Sequence, residues 1–322
     1  MDRRSLSIVF FGTADFAVPC LEALLQAGHR VLAVVTQPDK EQGRGRQLAG
    51  SPVKQAALRL ALPVLQPRRV RSEAFIARIR EMAPDVLALA AFGQIVPQAL
   101  LDIPPLGPIN VHGSLLPKYR GAAPIQRAIM AGETETGVTT MWMDATLDTG
   151  DMLLSEAIPI NPEDTAGTMF PKLAEVGARL LVETLDGLAA GTIVRKKQDD
   201  SQATLAPAIQ PADAEIDWGQ NATQIHNRIR GVTPKPGAFT SIRGKRVKIW
   251  STTPADRLAS TLPAGAVVAI NKRPPGLRVS CGDGSELLVL DAQPESGKRM
   301  SAADWARGLR LEPGESFGAP SP

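Results

Sequence analysis

The chain has 322 residues, of which 43% are hydrophobic and 21% charged, ordinary proportions for a globular fold with enough apolar side chain for two cores. A net charge of +3 does not by itself mark a polyanion binder, and the two cysteines, Cys20 and Cys281, lie too far apart for metal spacing or a disulfide framework. The opening MDRRSLSIVFFG is apolar over too few residues for a signal peptide or membrane span and lacks the character of a transit peptide, so the expected setting is the cytoplasm, with no membrane partner.

Leu6 to Phe11 (LSIVFF) is a continuous apolar run ending at Gly12, after which Val18, Leu21, Leu24 and Leu25 recur on one helical face before Gly28. This predicts a strand, a tight turn and a helix. The turn Gly12-Thr13-Ala14-Asp15 lacks the G-x-G-x-x-G spacing that lets a pyrophosphate approach backbone amides, so the unit has the outline of a dinucleotide fold without its fingerprint and no NAD is expected. Val31 to Thr36 predicts a second strand. Gln37 to Gly50 (QPDKEQGRGRQLAG) then reads as a loop carrying Lys40, Arg44 and Arg46, with Arg44 between two glycines; on composition it is a solvated surface loop. Ser51 is placed to cap the next helix, with Pro52 in its first turn.

Pro63 to Gln66 predicts a short strand, Ser72 to Met82 a helix capped by Ser72, and Asp85 to Phe92 a strand apolar throughout. Such all-apolar runs belong to parallel strands buried on both faces. Strands alternating with helices predict an α/β fold, a doubly wound Rossmann-like sheet with its ligand site at the carboxyl ends of the strands. Phe92 and Gly93 sit at such an end.

Asn110 and His112 sit at another. They follow the apolar run Pro108 to Val111, and two residues apart on a strand they project from the same face. A neutral imidazole can take a proton from an attacking ammonium or pass one to a leaving nitrogen, and an amide N–H can donate to a carbonyl oxygen as it becomes anionic. The pair suits acyl transfer to an amine. Asp148 lies in the turn-rich Thr146 to Asp151 (TLDTGD), where a carboxylate could orient the imidazole. Each residue also has a plainer reading: His112 as a packed side chain, Asn110 as a loop brace, Asp148 and Asp151 as Asx-turn residues.

A helix begins near Ile125, strands follow at Gly137 to Met143 and Met152 to Ile160, and Thr165 to Leu188 forms a longer helix whose stripe of Met169, Leu173, Val176 and Leu180 reads as core. Residues 190–209 break the pattern and read as a connector, with Arg195, Lys196 and Lys197 facing RNA or water. From Ala212 the texture changes. A helix ends near Arg230, and short strands follow at Ala238 to Ile242, Val247 to Ser251, Ala266 to Ile270, Leu277 to Ser280 and Leu287 to Leu290, a spacing that suggests a small barrel. The run Arg243 to Trp250 carries Lys245, Arg246 and Lys248 and suits contact with phosphates more than base reading. Residues 1–209 hold 21 basic and 22 acidic side chains and residues 210–322 hold 15 and 11, a mild excess compatible with a polyanionic partner. The expected division is a catalytic domain at 1–189, a linker at 190–209 and a smaller domain at 210–322.

The stretch NVHGSLLPKYRGAAPIQ followed by LDTGDM resembles the formyltransferases that use 10-formyltetrahydrofolate, and the similarity extends over nearly the whole chain. It is greatest to the branch whose acceptor is initiator methionyl-tRNA. The resemblance implies Asn110, His112 and Asp148 as catalytic residues, Ser114, Leu115, Leu116 and Pro117 as a folate-binding segment, and Phe92 and Gly93 beside the pterin. It also implies that the loop with Lys40, Arg44 and Arg46 enters the acceptor region of the RNA, with Arg44 in contact, and that the second domain is OB-like. The co-substrate is then 10-formyltetrahydrofolate; neither metal nor NAD is expected, and nothing in the sequence demands a dimer, so a monomer is expected. The alternative inside the family is a sugar-nucleotide formyltransferase, against which the basic loop argues; glycinamide ribonucleotide formyltransferase resembles the first domain alone. A non-catalytic RNA-binding protein would leave Asn110, His112 and Asp148 without a role.

Overall fold

The first apolar run forms β1 (Ser7–Gly12) and the fully apolar one forms β6 (Val86–Ala90); they pair in parallel from Ile8 opposite Val86 to Gly12 opposite Ala90. The computed structural model describes residues 4–42, 47–255 and 260–318. Among these, one compact unit takes in residues up to 124, 135–158 and 170–207, and the other takes in 125–134, 159–169 and the chain from 208 on.

In the first unit α1 (Val18–Gln26) leads to β2 (Arg30–Val35), a two-stranded ribbon β3 (Lys40–Gln42) and β4 (Gln47–Ala49), and α2 (Pro52–Arg59). The ribbon is a departure from the expected plain loop: the two short strands pair antiparallel, Lys40 opposite Ala49. Ser51 caps α2 as expected, its hydroxyl accepting the Lys54 N–H at 3.0 Å. Next come β5 (Val64–Leu65), α3 (Glu73–Glu81), β6, the short α4 (Gln98–Leu101) and β7 (Pro108–His112). Ser72 occupies the cap position of α3, but its hydroxyl makes no capping bond. After α5 (Pro124–Ala131) the sheet is completed by β8 (Glu135–Trp142) and β9 (Met152–Pro159), and α6 (Ala166–Ala190) follows.

The resulting seven-stranded sheet has the order β5-β2-β1-β6-β7-β8-β9. Neighbours from β5 to β7 run parallel, while β7 and β8 run antiparallel with Asn110 opposite Met141. Strand, helix, strand would ordinarily give a parallel pair, with the helix lying back over the sheet. Here the two strands on either side of α5 in the chain run antiparallel instead. One face of the sheet is sealed by Val9, Phe11, Leu87 and Leu89 against Phe75, Ile79 and Leu100, with Phe11 edge-on to both Phe75 and Phe92. On α6 the expected stripe is buried at Met169, Leu173 and Leu180 and half-buried at Val176. Gly177 lets this helix press on β7: a Cβ there would come within 2.8 Å of the Val111 side chain.

The second unit contains α7 (Ala222–Val232), with a capping box of Asn221 and Gln224, then β10 (Phe239–Ile242), β11 (Lys245–Pro254), β12 (Val267–Lys272), β13 (Pro275–Ser280), β14 (Glu286–Pro294), β15 (Met300–Ser301) and α8 (Ala302–Leu309). The strands form one antiparallel sheet in the order β10-β11-β14-β13-β12, with β15 on β14. This is the expected small barrel-like domain, with β15 and α8 as additions. Its core gathers Ile225 and Ile229 of α7, Val247, Val279 and Leu287 of the sheet, and a stack of Trp218 and Trp305 on Phe317. Buried Arg230 donates to the carbonyls of Asn161 and Asp164, and Arg127 pairs with Asp213 at 2.7 Å. No helix among the described residues is long and apolar enough to cross a membrane.

Candidate active site

His112 is the last residue of β7, its side chain 6% exposed. Its Nε2 lies 2.9 Å from the carbonyl oxygen of Tyr119, an atom that only accepts, so this nitrogen carries the hydrogen and donates it. Nδ1, on the other side of the ring, is 3.7 Å from Oδ2 of Asp148. The imidazole is therefore fixed at one nitrogen by backbone and faces a carboxylate with the other. The spatial meeting of His112 with Asp148, 36 positions on, makes one site from two places in the sequence.

Two loops hold the ring's partners in backbone conformations that side-chain-bearing residues rarely adopt. Tyr119 has φ +61° and Asp148 has φ +53°. Such residues cost on the order of 1–3 kcal/mol each and persist where the surroundings over-determine them, commonly at functional sites. Between them Gly121, at φ +129°, donates its N–H to Oδ2 of Asp148 at 2.8 Å. A Cβ at this position would lie 2.6 Å from the carbonyl oxygen of Ala206, so both the turn and the close approach require glycine.

Asn110 occupies the same strand and is half-buried. Among the described residues its side-chain amide has no hydrogen-bond partner, which leaves donor and acceptor available to a ligand. Ser114 is fully buried, and its hydroxyl donates to the Lys118 carbonyl at 2.6 Å. The Leu116 N–H is received by the Thr139 hydroxyl, which itself donates to the Ser114 carbonyl, so β8 shapes the Ser114–Pro117 turn. Phe92 is buried against Phe11, and its carbonyl accepts from Thr13 Oγ1 and Gln37 Nε2. Gly93, at φ +77°, accepts a second bond from the same Gln37 amide. An open groove of about 570 Å³ lined by Pro19, Glu22, Gln26 and Arg179 lies elsewhere, on α1 and α6, and includes none of these residues.

Two family models cover most of the chain: the one described as formyl transferase matches residues 6–185, and the formyl transferase C-terminal domain matches residues 208–310. The chain belongs to the formyl transferase family. The methionyl-tRNA formyltransferase of Solibacter usitatus is 53% identical over 97% of this chain and 99% of its own length. That of Geobacter metallireducens is 49% identical over 97% of this chain and 99% of its own. Among solved structures, the N-formyltransferase of Helicobacter canadensis, in complex with folinic acid and dTDP-3-aminofucose, superposes with a TM-score of 0.62 at 20% identity, over 89% of this chain and 99% of that one. At that identity the likeness is one of fold.

Other expected contacts of this family member have varied surroundings. Arg44 and Arg46 lie outside the described residues. Lys40 is exposed on β3, its ammonium donating to Gln37 Oε1 at 2.7 Å. At the base of the ribbon, hydrogen bonds from Lys54 and Gln66 hold the Asp39 carboxyl below its ordinary value. In the second unit Lys245 and Arg246 are exposed on β11 and Lys248 is half-buried. The Arg246 guanidinium lies 3.4 Å from the centroid of the Phe239 ring, and Lys248 reaches the Pro236 carbonyl and the face of Trp250. Burial pushes the thiols of Cys20 and Cys281 up to about 12, which removes both as thiolate nucleophiles near neutral pH.

Sequence reasoning missed the strap that closes the site. Residues 196–206, read as part of a connector, are tied to it: Thr204 takes the Tyr119 N–H on its hydroxyl and the Arg120 N–H on its carbonyl, and the Ala206 N–H donates to the Arg120 carbonyl. Buried Gln198 donates to the carbonyls of Asp148 and Gly150, at 2.8 and 2.7 Å, and accepts from Arg120 Nε at 2.9 Å. Arg195 pairs with Asp151 and lies over the Trp142 ring, so it meets protein. Nothing local in the sequence marks these bonds, whose partners are 44 to 86 positions apart.

Proposed function

We propose that this protein transfers the formyl group of 10-formyltetrahydrofolate to the α-amino group of initiator methionyl-tRNA. The observation that carries the proposal is the identity of about half, across both domains, with relatives named for that activity. The site's chemistry supports it. The folate supplies an electrophilic formyl carbon on nitrogen; the amine forms a bond to that carbon, the bond to folate nitrogen breaks, and one proton moves from the amine to the leaving nitrogen.

In this reading Asn110, whose amide is half-buried and without a partner among the described residues, donates to the formyl oxygen as negative charge grows there. His112 relays the proton, and Asp148, 3.7 Å from the ring, orients it and balances its charge. The backbone of Ser114–Pro117 and of Phe92–Gly93 lines the pterin site. Lys40, Arg44 and Arg46 of the 37–50 segment and Lys245, Arg246 and Lys248 of the second domain meet RNA phosphates. No step calls on a metal or a nicotinamide. The same reading has the protein act as a monomer in the cytoplasm, which light scattering of the purified chain checks for the oligomeric state. The test of the activity is transfer of labelled formyl groups to charged initiator tRNA beside a UDP-amino sugar: label in the tRNA alone is expected, and label in the sugar alone overturns the assignment.

A further inference from the structure

The geometry points to Gln198 as a positioning residue that sets the backbone of Asp148, and through it the carboxylate that faces His112. This rests on the reading of Asp148 given above and adds to it a residue outside the reacting groups. The side-chain amide of Gln198 spends both hydrogens on one turn, donating to the carbonyls of Asp148 and Gly150. Its oxygen accepts from Arg120 Nε, and Arg120 is in turn tied to Asp200 at 2.7 Å. Gln198 and Arg120 are 5% and 7% exposed, and buried polar groups of this kind are retained when every bond is made.

The turn they hold needs holding. Asp148 sits at φ +53°, where a residue with a side chain is strained, and its carboxylate accepts from the Gly121 N–H at 2.8 Å while facing Nδ1 of His112 at 3.7 Å. Relaxation of that backbone toward an ordinary conformation would swing the carboxylate away from the ring. Arg120 also belongs to the loop that carries Tyr119, whose carbonyl fixes the other side of His112. One buried pair, Arg120 with Gln198, thus bridges the loops that supply both of the ring's partners. A misplacement of about 1 Å at a reacting group can cost about a hundredfold in rate.

The test is a double-mutant cycle on the full-length enzyme, with kcat and KM for charged initiator tRNA and for 10-formyltetrahydrofolate. Gln198→Glu keeps the shape and the bond to Arg120 but removes both donors; Gln198→Ala is read in parallel, with thermal melting to certify the fold of each. The expected result is a fall in kcat of about a hundredfold with both KM values kept. In an Asp148→Asn background the same change is expected to add nothing, because Gln198 acts through that carboxylate. A Gln198→Glu enzyme with unchanged kcat overturns the inference, as does the full loss recurring in the Asp148→Asn background. Either of those leaves the catalytic reading intact if Asp148→Asn itself is slow. Asp148→Asn turning over at the wild-type rate removes the reading of Asp148 and this inference together.

Discussion

The side chains of His112, Asp148 and Gln198 are held by bonds to backbone, whereas on β11 Lys245 and Arg246 are exposed, Arg246 over the Phe239 ring, and half-buried Lys248 reaches the Pro236 carbonyl. The first region uses strained backbone at Tyr119 and Asp148, a glycine that admits no Cβ and a buried Gln–Arg pair. The second is an antiparallel strand, β11, entered through a turn where Arg243 also has positive φ, +49°, but its cations are not enclosed by such bonds. Moving a proton and stabilising a growing charge require atoms fixed to fractions of an ångström, while attracting a polyanion requires only charge within a screening length. Mutations in the two regions should therefore fail differently, in turnover at one and in salt-dependent affinity at the other.

The largest separation is expected for Asn110→Ala. Loss of an oxyanion donor is typically worth about 2.7–4 kcal/mol, so kcat should fall by roughly two to three decades while the Kd for tRNA holds. Equal losses in kcat and affinity would erase the distinction between the regions. Gly121→Ala probes the crowding itself: with φ +129° and a Cβ 2.6 Å from the Ala206 oxygen, urea denaturation should show a loss of about 1–3 kcal/mol, accompanied by slower turnover. A variant as stable and fast as the parent would mean the loop is not over-determined.

In the strip, Lys245→Ala, Arg246→Ala and Lys248→Ala combined should raise the KM for tRNA, leave kcat intact and make the log–log salt dependence shallower by about one unit for each phosphate left without its cation. An unaltered slope would return these cations to a solvated face. The smallest effect concerns stability alone. Burial, reinforced by the nearby Arg230 cation, pushes the His226 imidazole from 6.5 down to about 4. The ring stays neutral in the fold while the unfolded chain takes up a proton, so stability is intact above about pH 6.5 and is lost as pH falls toward about 4. His226→Gln should flatten the melting temperature across that window, and an unchanged pH slope would assign it to other groups.

How much of this was readable beforehand follows the range of the interactions. Apolar runs such as Leu6 to Phe11 and Asp85 to Phe92 announce buried strands because burial acts on each residue locally, and the two-residue spacing of Asn110 and His112 puts them on one face before any fold is known. The antiparallel return of β8 was not readable, since nothing local in its sequence sets its direction relative to β7. Ala302, Trp305 and Ala306 have helical spacing and are buried in α8, so this helix is legible in the sequence. Asp148 was recognisable as a turn residue, but not as the left-handed one two positions before Gly150. Gln198 looked like one polar residue in a connector, because its partners at 120, 148 and 150 become neighbours only when the sheet has folded.

The most direct measurement is the single-turnover rate of formyl transfer to methionyl initiator tRNA, with enzyme in excess, for wild type, His112→Ala, Asp148→Asn and the double variant. A general acid–base group contributes about 10²–10⁴-fold, so each single variant should be slower by at least about a hundredfold, and the double variant no slower than His112→Ala alone. A His112→Ala enzyme that transfers formyl at close to the wild-type rate would contradict the assignment of that ring as the proton relay.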